Sequence, residues 1–156
     1  GARTVAGRIV AEHGRTVSTT VPGLTHLFPD AATLATADPA TLPMPRARGR
    51  ALVGLAAALA DGRVLLDRGP DRDDVRRALL ELPGIGPWTA DYVAMRALGH
   101  PDVFLPTDLA VRRVLADLGG GPEPATWRPW RSYALMHLWN TLMPDTPEPT
   151  GSPEEN

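Results

Sequence analysis

The chain reads as an all-α domain. Apolar residues recur at helical spacing in a series of separate stretches, capping residues stand where those stretches begin, and no stretch sustains the alternation of a strand. From Arg3 to His13, Val5, Ile9 and Val10 fall on one side of a first helix, and Gly14 supplies a stop. Residues 15–29 turn to Thr, Ser, Pro and Gly and read as a long connection. Asp30 caps a short helix through Leu34, and Asp38 with Pro39 offers an N-cap and a pre-set first dihedral for another. Arg46 to Asp61 is longer, with Leu52, Leu55, Ala56 and Leu59 on one face and Gly62 behind it. Asp71 to Glu81 carries acids in its first turn, where the helix dipole favours them, and points Val75, Ala78, Leu79 and Leu82 inward. Pro87 starts the next helix, which runs to Leu98 before Gly99; Thr107 or Asp108 caps another through Leu118. A Gly/Pro-rich link at 119–124 leads to a last, aromatic-rich helix over Trp127–Leu142.

Composition sets limits on function. The 156 residues suffice for one domain with a real core, and the absence of Cys removes disulfides, thiolate metal sites and thiol catalysis. All 16 cationic side chains are Arg, so no lysine amine is available for a Schiff base. The formal charge of −2 is unevenly spread: Asp145, Glu148, Glu154 and Glu155 lie in a Pro/Thr/Gly/Ser-rich tail, so residues 1–144 carry 16 Arg against 14 acids. We therefore expect a folded region over 1–143 and a disordered acidic tail over 144–156. No apolar run is long enough for a membrane helix and no secretory leader opens the sequence, so a cytoplasmic location is the default expectation. His13, His26 and His100 lack a second ligand at zinc spacing, and His137 is expected in or beside the core.

The most informative segment is Leu82-Pro-Gly-Ile-Gly-Pro-Trp-Thr-Ala-Asp91, followed by Asp108. A hairpin turn at 82–86 between two helices offers backbone N–H groups to an anion, because glycine has no side chain to obstruct the approach and admits dihedrals closed to other residues. Its plainer reading is an ordinary connection between antiparallel helices. No Gly-Lys-Ser/Thr follows, so it is not a Walker loop.

With Trp88-Thr-Ala-Asp-Tyr92, Asp102-Val-Phe-Leu-Pro-Thr-Asp108 and Trp130-Arg-Ser-Tyr-Ala-Leu-Met-His-Leu-Trp139, the chain resembles the helix–hairpin–helix DNA glycosylases, nearest to the AlkA-type 3-methyladenine DNA glycosylases. The resemblance covers nearly all of residues 2–143. It implies a helical bundle whose hairpin grips a phosphate of double-stranded DNA through backbone N–H groups matching Gly84, Gly86 and Thr89. It further implies that a damaged nucleotide is flipped out and that Asp108, on the next helix, drives cleavage of the N-glycosidic bond. Asp108 also suits a helix N-cap, and the two roles are compatible. Trp88 and Tyr92, four apart on one helical face, and Trp139 match a base pocket, where electron-rich rings suit a base made cationic by alkylation. For each ring, core packing is the plainer role, and Trp127 and Trp130 are assigned to it. Asp91 and Asp102 read as structural support, and Arg112 and Arg113 as residues able to approach DNA.

Relatives that also nick the strand place a lysine two residues after the second hairpin glycine; here that position is Trp88. A monofunctional glycosylase acting on alkylated purines is therefore expected. Two alternatives stay open: a non-catalytic DNA-binding module, or a glycosylase for an oxidised or mismatched base. No cofactor is needed for the chemistry, but the resemblance implies a structural Na⁺ or K⁺ held by backbone carbonyls matching Leu80, Leu82 and Ile85. It also implies an additional N-terminal domain, in some proteins an Ada-type regulatory module, and an earlier helix and turn that insert a residue into the DNA. A stretch without that insertion is expected to bind damaged DNA weakly.

Overall fold

The computed structural model describes residues 1–67, 69, 71–119 and 123–142. The expected acidic tail over 144–156 lies outside them. Its regular elements among the described residues are helical, as the sequence predicts. The chain forms two compact units, Gly1–Leu98 and Gly99–Asn156.

The first unit holds α1 (Ala2–His13), α2 (Ala31–Ala35), α3 (Arg46–Ala60), α4 (Arg72–Leu80) and α5 (Pro87–Ala97). Ile9 of α1, Leu34 of α2, Leu42 of the turn that follows and Ala56 of α3 make a buried cluster, flanked by Val5, Met44, Leu52 and Val53. Asp30 caps α2 as its residue type predicts, its carboxylate accepting the Thr33 N–H at 2.8 Å. Small residues let α3 sit close to its neighbours: a Cβ on Gly49 would stand 2.4 Å from the Pro39 carbonyl oxygen. The connection after α1 doubles back on itself, with Thr16 bridged to His26 and Val17 N–H donating to the Thr25 carbonyl at 2.9 Å.

The expected helix at Asp38 is absent. The Asp38 carboxylate instead accepts the Ala40 N–H at 2.8 Å and its carbonyl accepts the Thr41 N–H, closing a local turn. Asp side chains compete with helix propagation in this way, and a second proline at Pro43 bars continuation.

The second unit contains α6 (Leu109–Asp117), a 3₁₀ turn (Pro124–Trp127) and α7 (Arg131–Asn140). The last helix is shorter than the expected 127–142 because Pro129, inside that range, has no N–H to give and restricts Arg128 before it. Val103 and Leu105 are buried while Phe104, on the opposite side of this extended stretch, meets Trp127 edge-on at 5.9 Å. Trp127 thus packs as expected. Trp130 does not: it is 58% exposed and touches Tyr133, itself exposed, at 5.6 Å. His137 is exposed as well, because α7 buries the face carrying Ser132, Leu135 and Leu138. No helix among the described residues is long and apolar enough to cross a membrane.

Candidate active site

The hairpin is built from α4, the six connecting residues 81–86 and α5. Asp71 caps α4, its carboxylate accepting the N–H groups of Asp73 at 2.8 Å and Asp74 at 3.2 Å. The helix then runs into the turn through buried Leu79 and Leu82, and Leu82 N–H donates to the Leu79 carbonyl at 3.1 Å. Ile85 N–H closes the turn on the Leu82 carbonyl at 3.1 Å.

The two glycines have different reasons for being glycine. Gly84 has φ +86°, a conformation L side chains resist, and a Cβ there would fall 2.8 Å from Ala51 Cβ of α3. Gly86, contrary to expectation, is extended, with φ −91° and ψ 173°, and its missing Cβ would meet nothing within 4 Å. The cause is Pro87, whose ring pushes the residue before it out of the helical region. Nothing in the fold forbids a side chain at position 86. Within the described residues the N–H groups of Gly84, Gly86 and Thr89 enter no hydrogen bond. Thr89 belongs to the first turn of α5, where N–H groups lack intrahelical acceptors.

Across the hairpin, Arg76 of α4 makes a two-point ion pair with Asp91 of α5, through Nε to Oδ1 and Nη2 to Oδ2, the latter at 3.3 Å. The carboxylate raises the Arg76 pKa above its ordinary value, chiefly through the hydrogen bond. Asp91 is therefore a clasp between the two helices, in keeping with the support role its sequence position suggests. On α5, Trp88 and Tyr92 come together as their spacing requires, stacked with centroids 5.2 Å apart and planes 11° from parallel. Trp88 remains 40% exposed.

In the second unit Asp108 is the N-cap of α6, and its Oδ1 accepts two donors: the Val111 N–H at 3.0 Å and the Trp139 indole N–H at 3.3 Å. The structure thus brings together two of the sequence-predicted site residues, the candidate catalytic carboxylate and one ring of the candidate base pocket. Arg112 and Arg113 follow on α6 with exposed side chains.

The segment that delivers Asp108 is fastened to α7. Arg131 grips Asp102 with Nε to Oδ1 at 2.6 Å and Nη2 to Oδ2 at 3.0 Å, and also reaches the Asp102 carbonyl at 2.7 Å. Arg128 adds an ion pair at 3.2 Å. The Arg131 hydrogen bonds hold the Asp102 carboxyl below the usual carboxylate range. Buried Ser132 donates its hydroxyl to the His100 carbonyl at 2.6 Å and accepts the Val103 N–H at 2.9 Å. Its own N–H donates to the Pro101 carbonyl at 2.9 Å. Sequence reasoning did not find Arg131 and Ser132 as positioning residues; they lie 29 positions or more from the groups they hold, and no periodicity links them. Among the described residues no three His, Asp or Glu side chains gather as a metal site.

No family model matches the chain. It is 48% identical over 148 residues to a probable bifunctional transcriptional activator/DNA repair enzyme AlkA of Mycobacterium tuberculosis, covering 90% of this chain and 30% of that protein. It is 40% identical over 124 residues to DNA-3-methyladenine glycosylase 2 of Escherichia coli, covering 73% of this chain and 43% of that protein. The chain therefore spans less than half the length of either relative. Among solved structures, a 3-methyladenine DNA glycosylase from Archaeoglobus fulgidus superposes with a TM-score of 0.72 at 26% identity, covering 88% of this chain and 50% of that one. With the hairpin, the capped aspartate and the late aromatic helix all in place, the chain is homologous to part of the AlkA-type 3-methyladenine DNA glycosylases and has the helix–hairpin–helix glycosylase fold.

Proposed function

We propose that this chain carries the catalytic region of a monofunctional DNA glycosylase that excises alkylated purines, 3-methyladenine among them, by hydrolysis of the N-glycosidic bond. The observation that carries the reading is the double hydrogen bond on Asp108. A carboxylate fixed by a helix N-terminus and an indole N–H is preorganised, so its negative charge needs no reorganisation as positive charge grows on the sugar. An oxocarbenium-like sugar beside it is stabilised, and the same carboxylate can orient the attacking water. An alkylated purine already carries positive charge and leaves readily, which reduces the need for a general acid. Within the first unit, the stacked Trp88–Tyr92 pair is of a kind that suits such a base through stacking and cation–π attraction.

The partner in this reading is double-stranded DNA bearing alkylated bases. The three N–H groups of Gly84, Gly86 and Thr89 would take one backbone phosphate, and the open space at Gly86 is what such an approach needs. Leu80 ends α4, where carbonyl oxygens lack intrahelical partners, and the Leu82 carbonyl keeps a second lone pair beside its bond from Ile85. With Ile85 these carbonyls suit a monovalent cation, which would stiffen the turn and take no part in bond cleavage. A chain without lysine has no side-chain amine for the Schiff base that strand nicking by an amine requires. The site of action would be the cytoplasm, on the nucleoid.

The test is release of free bases from methylated duplex DNA, identified by mass. The unmodified chain is expected to release methylated adenine and leave an abasic site, and Asp108→Asn to release none while still binding DNA. Failure of the unmodified chain to release any methylated base overturns the enzymatic reading of this stretch.

A further inference from the structure

Helix α3 opens with Arg46, Arg48 and Arg50 and has no Asp or Glu in its 15 residues. Pro45 stands at its N-cap and gives no side-chain cap. The N-terminal turn of any helix already carries partial positive charge, so the guanidinium groups of Arg46 and Arg48 there oppose the dipole, and with Arg50 in the next turn the three repel one another. Folding alone favours the opposite arrangement, and α4 in the same unit has it, with Asp71, Asp73 and Asp74 at its start. All three Arg side chains are exposed, and none has an ion-pair or hydrogen-bond partner among the described residues. This positive charge is left open to an anion from outside the unit.

The hairpin stands beside this end of α3. Gly84 approaches Ala51 so closely that a Cβ would lie 2.8 Å from the Ala51 Cβ. With about 100° between successive helical residues, Arg48 and Arg50 project to either side of the direction in which Ala51 faces the turn. Arg48 and Arg50 therefore stand on either side of the contact with the Gly84 turn, and Arg46 continues the charge to the start of the same helix. We infer that Arg46, Arg48 and Arg50 form a second phosphate-binding strip, which extends the hairpin's hold onto neighbouring phosphates of the duplex backbone. Guanidinium suits this because its fork of donors matches two phosphate oxygens at once. The strip senses charge and not sequence. It also gives a chain of net negative charge a local means of engaging DNA.

This rests on the reading of the hairpin as a DNA clamp, and the experiment separates the two. Binding of an undamaged duplex is followed by fluorescence anisotropy at about 50 to 200 mM salt for the chain and for the triple variant Arg46→Gln, Arg48→Gln, Arg50→Gln. The slope of log affinity against log salt is expected to fall by about 2 to 3, near 0.9 for each phosphate that is no longer neutralised, equally for unrelated duplex sequences. Arg63→Gln, whose charge is already met by Asp61 at 2.8 Å, leaves the slope unchanged. The triple variant is expected to melt at the parent temperature or above it, since unfavourable charge has left the helix N-terminus. An unchanged slope overturns the strip, and so does a lowered melting temperature, which would mean that the cations serve the fold. Base release by the unmodified chain is scored separately: a fallen slope without base release keeps the strip and removes the glycosylase, and base release with an unchanged slope does the reverse.

Discussion

Asp108 occupies a position that is both a helix cap and a candidate catalytic carboxylate, and two substitutions separate the roles. Asp108→Ala removes the acceptor of the Val111 N–H, a loss of about 1 kcal/mol for an N-cap. It also strips the Trp139 indole N–H of its charged partner, worth about 1.5 kcal/mol at the long end of hydrogen-bond distance. Together these predict a loss of about 2.5 kcal/mol and a fall in Tm of about 5 to 10 °C for a chain of this size. Asp108→Asn keeps an amide oxygen of the same reach, and Asn is as good a cap as Asp, so its Tm stays within about 2 °C of the parent. Both variants lose base release, because neither offers a negative charge to the developing cation. The assay pairs thermal melting by circular dichroism with release of methylated bases under single-turnover conditions. If Asp108→Asn retains release within a few-fold, the carboxylate is a cap and nothing more. If Asp108→Ala melts with the parent, the two hydrogen bonds do not hold α6 as described.

Further outcomes follow from neighbouring groups. Trp139→Phe keeps a ring but removes the donor to Asp108, and should slow single-turnover release about fivefold; unchanged release would show that the indole N–H does not position the carboxylate. Gly84→Ala meets both a positive φ and Ala51, so it lowers Tm, whereas Gly86→Ala fits an extended backbone in open space and lowers DNA affinity at unchanged Tm; unaltered binding in the latter removes position 86 from the clamp. The Asp102 carboxyl is depressed below its ordinary 3.8 by Arg131, so this pair's contribution to stability is present above that pH and is lost as pH falls through the lower folded value. Arg131→Gln should therefore be destabilised relative to the parent at neutral pH, with a gap that closes in acid below about pH 4; a gap independent of pH would assign the loss to packing.

The hairpin was legible in the sequence because Pro-Gly-x-Gly-Pro leaves the backbone few options between two amphipathic stretches. Asp108 as a cap was legible for the same local reason, and its proposed chemistry came from the resemblance alone. Gly86 departs from the glycine expectation because the proline after it constrains its dihedrals more strongly. The start of α7 lies later than the apolar pattern predicts because Pro129 interrupts it, and the pattern does not locate His137 because Ala134, Leu135, Met136, Leu138 and Trp139 leave α7 apolar on most sides, so periodicity does not select a face. The fastenings by Arg131 and Ser132 were invisible, since polar residues far apart in sequence announce no partner until the chain has folded.

Ser132 and Trp139 are seven residues apart on α7, two helical turns and about 10.5 Å along one face. The first holds Val103 and the second meets Asp108, so α7 works as a ruler laid against residues 103–108. Its divisions are whole residues. Substitutions within Phe104–Thr107 can be absorbed by side-chain adjustment, but one residue added or removed there leaves Ser132 and Trp139 unable to engage both ends at once. The spacing between the buried serine's partner and the carboxylate is thus the part of this region least free to vary, although nothing in the composition of the segment marks it as constrained.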